Sequence, residues 1–243
     1  MEVVFQLAGD FVQEFYDQNP LSHLGIITCS HGEAEMLSKL SGSKRTHLLA
    51  LGATLQRYFE TANVSRGEFS LQNGLEVAGR SLGYVPAHAS REVVVLCAAL
   101  NTCDPGDVLV ETLPRLQTAD IRVSCIALSA EMHVCRKIAT DTNGIMGVCL
   151  DRHHLSDMLL QQAIPPPSKN NNNNDDNNNV NSCTFLSMGF PIRERSDVPS
   201  LIHVNSHKSC FARTAYLCPR CKAKAMDLPT DCQVCGLKLV LAP

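Results

Sequence analysis

The feature that most constrains the fold is an almost continuous apolar run, Val93 to Leu100, inside the segment SREVVVLCAALNTCDPGD (90–107). The run is too short for a free-standing helix, is rich in β-branched residues, and ends in the turn signal Asp104-Pro105-Gly106. A strand that is apolar on both faces is typical of the middle of a parallel sheet covered by helices. Asp104 then either lies in a binding site beyond the strand's carboxyl end or only forms the turn.

Helical and strand patterns alternate along the first two thirds of the chain. Helices are predicted over 3–18, 46–62, 71–82, 108–119, 130–140 and 153–163, and strands over 24–29, 91–100, 121–128 and 145–150. Residues 33–40 fit either an edge strand or one helical turn. Pro114 should kink the helix predicted over 108–119 or delay its start. The alternation predicts an α/β protein with a doubly wound, mostly parallel sheet and right-handed crossovers.

The composition changes abruptly after residue 164, where three prolines end the α/β domain (1–164). Residues 165–182 are rich in proline and asparagine, have nothing to bury, and are predicted to be a disordered linker. Residues 183–209 start with a small apolar patch, CTFLSMGF, and then lack a period, which predicts an irregular docking segment. The remaining residues, 210–243, form the second folded unit.

Cysteine spacing in that last unit is the strongest chemical signal. The acidic amino terminus lacks the basic region of a secretory signal, so we expect a reducing compartment in which grouped cysteines bind metal. Two CxxC pairs, Cys218/Cys221 and Cys232/Cys235, are separated by ten residues. A two-residue gap lets both sulfurs of a pair reach one ion, so the four thiols predict a zinc ribbon with one structural Zn²⁺ and no open ligand position.

Charge and composition exclude several other classes of function. The net charge of −3 gives no reason to expect nucleic acid or an anionic membrane as a direct partner. No run reaches the roughly 18 apolar residues of a membrane span. No phosphate-binding loop, nucleophile elbow or HExxH motif occurs, which removes the commonest catalytic patterns.

Long stretches of the chain resemble one family, the von Willebrand A-type subunit of general transcription and DNA-repair factor IIH. The resemblance covers nearly the whole chain. It rests on YDQNPLSHLGII (16–27), SLQNGLEVA (70–78), SREVVVLCAALNTCDP (90–105), ADIRVSCIALSAEMHVCRKIATDTNG (119–144), LSMGFP (186–191) and CPRCKAKAMDLPTDCQVCGLKLV (218–240). Together these stretches are far more specific than a bare A domain or zinc ribbon.

The resemblance implies a von Willebrand A-like domain followed by the zinc ribbon, in a nuclear, non-enzymatic scaffold subunit. In that family the A domain binds and stimulates the XPD-type helicase, and the ribbon holds another core subunit. The processes served are transcription initiation by RNA polymerase II and nucleotide excision repair. No small-molecule substrate is implied, and nucleic acid is contacted only indirectly.

Two departures from the family pattern matter. An A domain begins with a central strand ending in the metal-binding pattern DxSxS, which this sequence lacks; only Ser70 and Asp104 stand near such positions, too few ligands for magnesium. We therefore expect a gap beside strand 91–100, with exposed strand edges, as in a truncated gene model or an isoform. At the other end, the family's second, RING-like cysteine module is missing.

Two other functions fit parts of the sequence. A metal-dependent adhesion or ubiquitin-pathway A domain with an incidental ribbon would bind its ligand through magnesium at Asp104. An enzyme would use Cys103 or Cys135 with a nearby histidine, which requires a reactive thiolate.

Overall fold

The first unit of the chain, 1–165, alternates helices and strands as predicted. The computed structural model describes residues 2–60, 68–86, 89–165, 187–205 and 208–242, and the chain divides into the units 1–165 and 166–243. The first unit contains helices α1 Glu2–Gln18, α2 Lys44–Glu60, α3 Leu71–Leu82, α4 Leu113–Thr118, α5 His133–Asp141 and α6 Arg152–Gln161. Its strands are β1 Leu24–Ser30, β2 Glu33–Ser41, β3 Arg91–Cys97, β4 Ile121–Ala127 and β5 Met146–Val148.

A three-stranded parallel sheet with the order β3-β4-β5 forms the centre of this unit. The sheet and its helices confirm the predicted α/β class. Strands β1 and β2 form a separate antiparallel hairpin, so the ambiguous residues 33–40 are a strand. The hairpin turns at His31 and Gly32, whose φ angles of 55° and 74° match the left-handed backbone of a tight two-residue turn.

Strand β3 lies at the edge of the parallel sheet, whereas its apolar sequence predicts a place in the middle. That prediction is wrong for the described residues. Strand β4 takes the middle place and is almost entirely buried, while only Cys97 of β3 is fully buried. Among the described residues, no strand pairs with the free edge of β3, and β1 belongs to a different sheet.

Pro114 delays the start of its helix, which was one of the two predicted outcomes. Residues Val108–Thr112 form a π-helical turn, capped by Asp107, whose carboxylate accepts hydrogen bonds from the backbone N–H groups of Leu109 and Val110. The α-helix α4 then starts with Pro114 in its first turn, where a missing N–H costs no hydrogen bond.

The second unit consists of two long strands and four strands of two residues each. Its strands are β6 Met188–Gly189, β7 Ile192–Asn205, β8 Lys208–Leu217, β9 Lys224–Ala225, β10 Thr230–Asp231 and β11 Lys238–Leu239. They form two sheets, β7-β8-β9 and β10-β11-β6. The prediction of irregular structure over 183–209 is wrong where that segment is described, because β7 pairs with β8 on both sides of a register break between Arg195 and Ser200, and β6 pairs with β11.

The predicted linker lies almost wholly outside the described residues, which resume at Ser187. Among the helices that the structure describes, none is both long enough and apolar enough to cross a membrane.

Candidate metal centre

Four thiols converge in the second unit. Cys218, Cys221, Cys232 and Cys235 place their sulfur atoms within 4.8 Å of one another. The Sγ atoms of Cys218 and Cys235 are 3.6 Å apart, and those of Cys221 and Cys232 are 3.4 Å apart. A tetrahedral site with Zn–S bonds of about 2.3 Å has sulfurs about 3.8 Å apart, so the four thiols fit such an ion after small shifts of their side chains.

Each CxxC pair occupies the turn of a hairpin. The first pair lies between β8 and β9, and the second lies between β10 and β11. This placement explains the convergence, because a hairpin turn brings the two cysteines of a pair to the same end of their strands. The two turns then face each other through a small core that includes Leu237 and Leu239.

The two turns have the same backbone hydrogen bonds. The N–H groups of Lys222 and Gly236 each donate to the carbonyl oxygen of the first cysteine of their pair, both at 2.9 Å. The N–H groups of Cys218 and Cys232 each donate to the carbonyl oxygen five residues on, Ala223 and Leu237, again at 2.9 Å. The residue after each pair has a left-handed backbone, with φ of 61° at Lys222 and 67° at Gly236.

The sequence indicated this role for Gly236 but not for Lys222, because lysine does not favour a positive φ. Both residues directly follow a CxxC pair. This equivalence is the sequence signal that could have predicted a left-handed backbone at Lys222.

The backbone around Cys218 favours its thiolate form, whereas hydrogen bonds among the thiols raise the pKa values of Cys221 and Cys235. Burial acts to raise the pKa of Cys218, but hydrogen bonds from the backbone N–H groups of Cys221 and Arg220, and from the neighbouring thiols, lower that pKa to about 7. A thiolate is the form that ligates metal. Four protein thiols leave no position for water or substrate, so the site can shape the fold but cannot activate a reactant.

Asp104 lies at the start of α3, in contact with Ser70. Its carboxylate accepts hydrogen bonds from Ser70 Oγ at 2.8 Å, from the backbone N–H of Gln72 at 2.7 Å and from Thr102 Oγ1 at 2.6 Å. Ser70 Oγ in turn accepts from the backbone N–H of Asn73 at 3.2 Å. Asp104 Oδ1 thus fixes the amino end of the helix and Oδ2 holds Thr102, which favours the structural interpretation of Asp104 over a magnesium ligand.

The two candidate nucleophiles lack the properties of a reactive thiolate. A hydrogen bond to Glu68 raises the pKa of the exposed Cys103. Cys135 is buried, and a hydrogen bond to Cys125 together with burial raises its pKa to about 12. Both are therefore thiols at neutral pH, and the structure gives no support to thiol catalysis.

Two family models cover most of the chain. The model described as Ssl1-like matches residues 1–191, and the model described as the GTF2H2 zinc ribbon domain matches residues 217–243. The second match covers all four cysteines of the metal centre.

Two relatives bear names that agree with these models. "General transcription factor IIH subunit 2" of Arabidopsis thaliana is 40% identical over 243 residues, which are 100% of this chain and 53% of that protein. "General transcription and DNA repair factor IIH subunit ssl1" of Schizosaccharomyces pombe is 34% identical over 99% of this chain and 54% of that protein. The chain thus spans about half the length of the curated relatives it matches.

Solved structures that match this chain do so at low sequence identity. The N-terminal domain of TFIIH p34 superposes with a TM-score of 0.51 and 12% identity, over 65% of this chain and 84% of that chain. The von Willebrand A domain of SpRpn10 superposes with a TM-score of 0.49 and 16% identity, over 66% of this chain and 82% of that chain.

The family assignment follows from the match over residues 1–191, which covers most of the chain and agrees with the resemblance found in the sequence. This chain belongs to the Ssl1-like family.

Proposed function

We propose that this chain is a non-enzymatic core subunit of transcription factor IIH that binds and stimulates the XPD-type helicase. The observation that carries the proposal is the presence of an Ssl1-like match and a GTF2H2 zinc ribbon match in one chain. The names of its relatives support membership in this complex. The subunit then acts in the nucleus, in transcription initiation by RNA polymerase II and in nucleotide excision repair.

The metal centre serves this function as a structural element. Cys218, Cys221, Cys232 and Cys235 are the ligands of one Zn²⁺, which holds the two hairpin turns together and shapes a surface for another core subunit. The close approach of the four thiols supports this assignment. A unit this small has little core of its own, so the bound metal supplies much of its folding free energy.

Three exposed apolar side chains support a protein contact at the carboxyl edge of the parallel sheet. Leu100 and Leu150 come just after β3 and β5, and Val110 lies in the turn before α4. They are 69%, 87% and 70% exposed, respectively. Ligands of parallel α/β sheets bind beyond the carboxyl ends of the strands, and we assign this edge to the helicase.

Stimulation requires no chemistry by the subunit itself. A partner that binds the active conformation of the helicase more tightly than the inactive one increases the population of the active form. The surface therefore needs complementary shape and apolar contacts, which the carboxyl edge offers, rather than catalytic side chains.

The test is to mix the full chain with a purified XPD-type helicase and to measure co-purification and the rate of DNA unwinding. Leu150→Asp should weaken binding by about tenfold or more, as loss of a central apolar contact does. Leu49→Asp is the matched control, because Leu49 is 64% exposed on α2, in another part of the same unit. No binding by the unchanged chain would reject the proposal, and equal loss with both variants would reject the assigned edge.

A further inference from the structure

Leu150 has an exposed side chain on a backbone that is anchored before it. The side chain is 87% exposed and lies between the end of β5 and the start of α6. Cys149, the preceding residue, donates its backbone N–H to the carbonyl oxygen of Ala127, the last residue of β4, at 2.9 Å. The Cys149 side chain packs against the apolar cluster that includes Leu155 of α6. The chain that leads into Leu150 is therefore held by the central strand and by the core.

The residue after Leu150 is fixed as well, because Asp151 is the N-cap of α6. Its Oδ1 accepts a hydrogen bond from the backbone N–H of His154 at 2.8 Å. Its carbonyl oxygen accepts from the backbone N–H of Leu155 at 3.0 Å. A side-chain cap of this kind determines the backbone conformation at the start of a helix. Leu150 thus stands between two residues whose positions are set by hydrogen bonds.

His154 holds the backbone of Leu150 itself. Its Nδ1 accepts the backbone N–H of Leu150 at 3.2 Å. In an ordinary capping box, the third helical residue is Glu or Gln and accepts from the N–H of the cap residue. In α6 a histidine occupies that position and bonds to the residue before the cap. Because a backbone N–H can only donate, Nδ1 is the acceptor and the neutral ring carries its proton on Nε2.

The Leu150 side chain does not make the contact that is usual for its position. The residue before an N-cap often packs against the fourth residue of the helix, in a contact called the hydrophobic staple. In α6 these two positions are Leu150 and Leu155. Leu155 is 4% exposed and belongs to the core, whereas Leu150 is 87% exposed. Leu150 therefore adds little to the core of this unit, and its side chain is available to a partner.

We propose that His154 is a positioning residue, which holds the backbone of Leu150 so that its side chain meets the helicase as a pre-organised anchor. This inference rests on the proposed function, because it concerns the carboxyl edge assigned to the helicase there. Ordering one residue of backbone costs free energy, and a contact residue that is ordered before binding spares the complex that cost. His154 acts through Leu150 and needs no contact of its own with the helicase.

The test measures two properties of the full chain, amide exchange at Leu150 and binding to a purified XPD-type helicase. His154→Phe keeps an aromatic ring but removes the acceptor. We expect amide exchange at Leu150 to become faster by about tenfold, as for an amide that loses its hydrogen bond. Helicase binding should weaken by about fivefold or more, because the Leu150 backbone must then be ordered on binding.

A rescue variant, a matched control and a coupled variant make the test specific. His154→Asn restores an acceptor, since its Oδ1 is attached to the side chain at the same position as Nδ1 of the ring, and both properties should return close to those of the unchanged chain. His153→Phe is the matched control, because His153 is the exposed neighbour in α6, and should alter neither property. In a Leu150→Ala background, His154→Phe should have little further effect on binding, because the two changes remove the same contact.

Faster exchange at Leu150 with unchanged helicase binding would overturn the proposal. A loss of binding with His154→Phe that is equally large in the Leu150→Ala background would also overturn it, because His154 would then act by another route. If Leu150→Ala weakens binding and His154→Phe does not, the positioning role is wrong while the assigned edge stands. No binding by the unchanged chain would reject the proposed function and this inference together. Should His154→Phe also accelerate exchange in β4, the fold is disturbed, and His154→Ala takes its place with the same expected results.

Discussion

His47 is a fully buried ionisable residue whose burial favours the neutral ring. The ring stacks on Tyr16 with the centroids 5.9 Å apart. Its Nδ1 lies 2.7 Å from Ser38 Oγ, and its Nε2 lies 3.2 Å from Ser41 Oγ. Burial lowers the pKa of His47 from its usual 6.5, because the charged ring would lose its hydration.

This lowered pKa predicts that stability falls in mild acid. Below about pH 6.5 the unfolded chain binds a proton at His47, while the folded chain does not. The contribution of His47 to the free energy of unfolding is therefore full above that pH and declines as the pH falls. Burial also lowers the pKa of His23, which acts in the same direction. Urea unfolding of His47→Gln between about pH 7 and pH 5 should show a weaker pH dependence than the unchanged chain. An equal pH dependence would contradict this account, and His23→Gln measures the share of the second histidine.

The equivalent turns of the metal centre allow a second prediction with its own control. A left-handed backbone costs a non-glycine residue roughly 1–2 kcal/mol, and Lys222 bears that cost where Gly236 does not. Lys222→Gly should therefore raise the free energy of unfolding of the zinc-loaded tail by up to about 1 kcal/mol, after the greater flexibility of unfolded glycine is subtracted. Gly236→Lys should lower it by a similar amount. Changes of the same sign in the two variants, measured by chemical unfolding, would refute the argument.

At the level of elements, Gly144 fixes how α5 returns to β5. A Cβ at this position would overlap the carbonyl oxygen of Val123, which belongs to the buried central strand β4. The strand cannot move away without breaking its pairing with β3 or β5. Gly144→Ala should therefore cost about 3 kcal/mol or more, in the range of severe overpacking.

Gly52 is the matched control for this substitution. It lies inside α2, and a Cβ there would meet nothing within 4 Å. Gly52→Ala should stabilise the chain by about 0.5–1 kcal/mol, because alanine favours a helix. Thermal unfolding of both variants measures the difference, and a loss of stability with Gly52→Ala would show that helix propensity does not decide that site.

The helices were largely predictable because their signals are local. The stripe of Leu71, Leu75 and Ala78, with Ser70 before it, is enough to place α3 and its cap. Strand neighbours were not predictable in the same way. The run Val93 to Leu96 shows that a strand is apolar on both faces, but its position in the sheet depends on which other strands exist. Strand β7 was missed because its register break and many charged residues hide the period of two.

At the scale of the whole molecule, the candidate site was predictable only where sequence spacing determines geometry. The cysteines of a CxxC pair are adjacent in space by necessity, and the ten-residue interval is enough for two hairpin turns to meet. The carboxyl edge is different, because Leu100 and Leu150 follow different strands, β3 and β5, and reach the same edge of the sheet only because the strands run parallel. No local pattern marks them as a surface.

The two units have separate sources of stability, which leads to the last prediction. The first unit is held by its own apolar cores around β4, whereas the cysteines themselves make up much of the core of the tail. Cys232→Ser should abolish zinc binding and unfold the tail, because three thiols hold the ion far less tightly and the remaining core is too small. The first unit should keep its structure.

Elemental analysis and hydrogen exchange test this expectation together. The unchanged chain should contain about one zinc ion and the variant none, with exchange accelerated in β8–β11 and unaltered in β4. Cys210→Ser is the control, since Cys210 lies in β8 outside the four converging thiols and should leave the zinc content intact. An unchanged zinc content in Cys232→Ser would show that Cys232 is not a ligand. Equal loss of structure in β4 would show that the first unit depends on the metal, so that the two units do not fold independently.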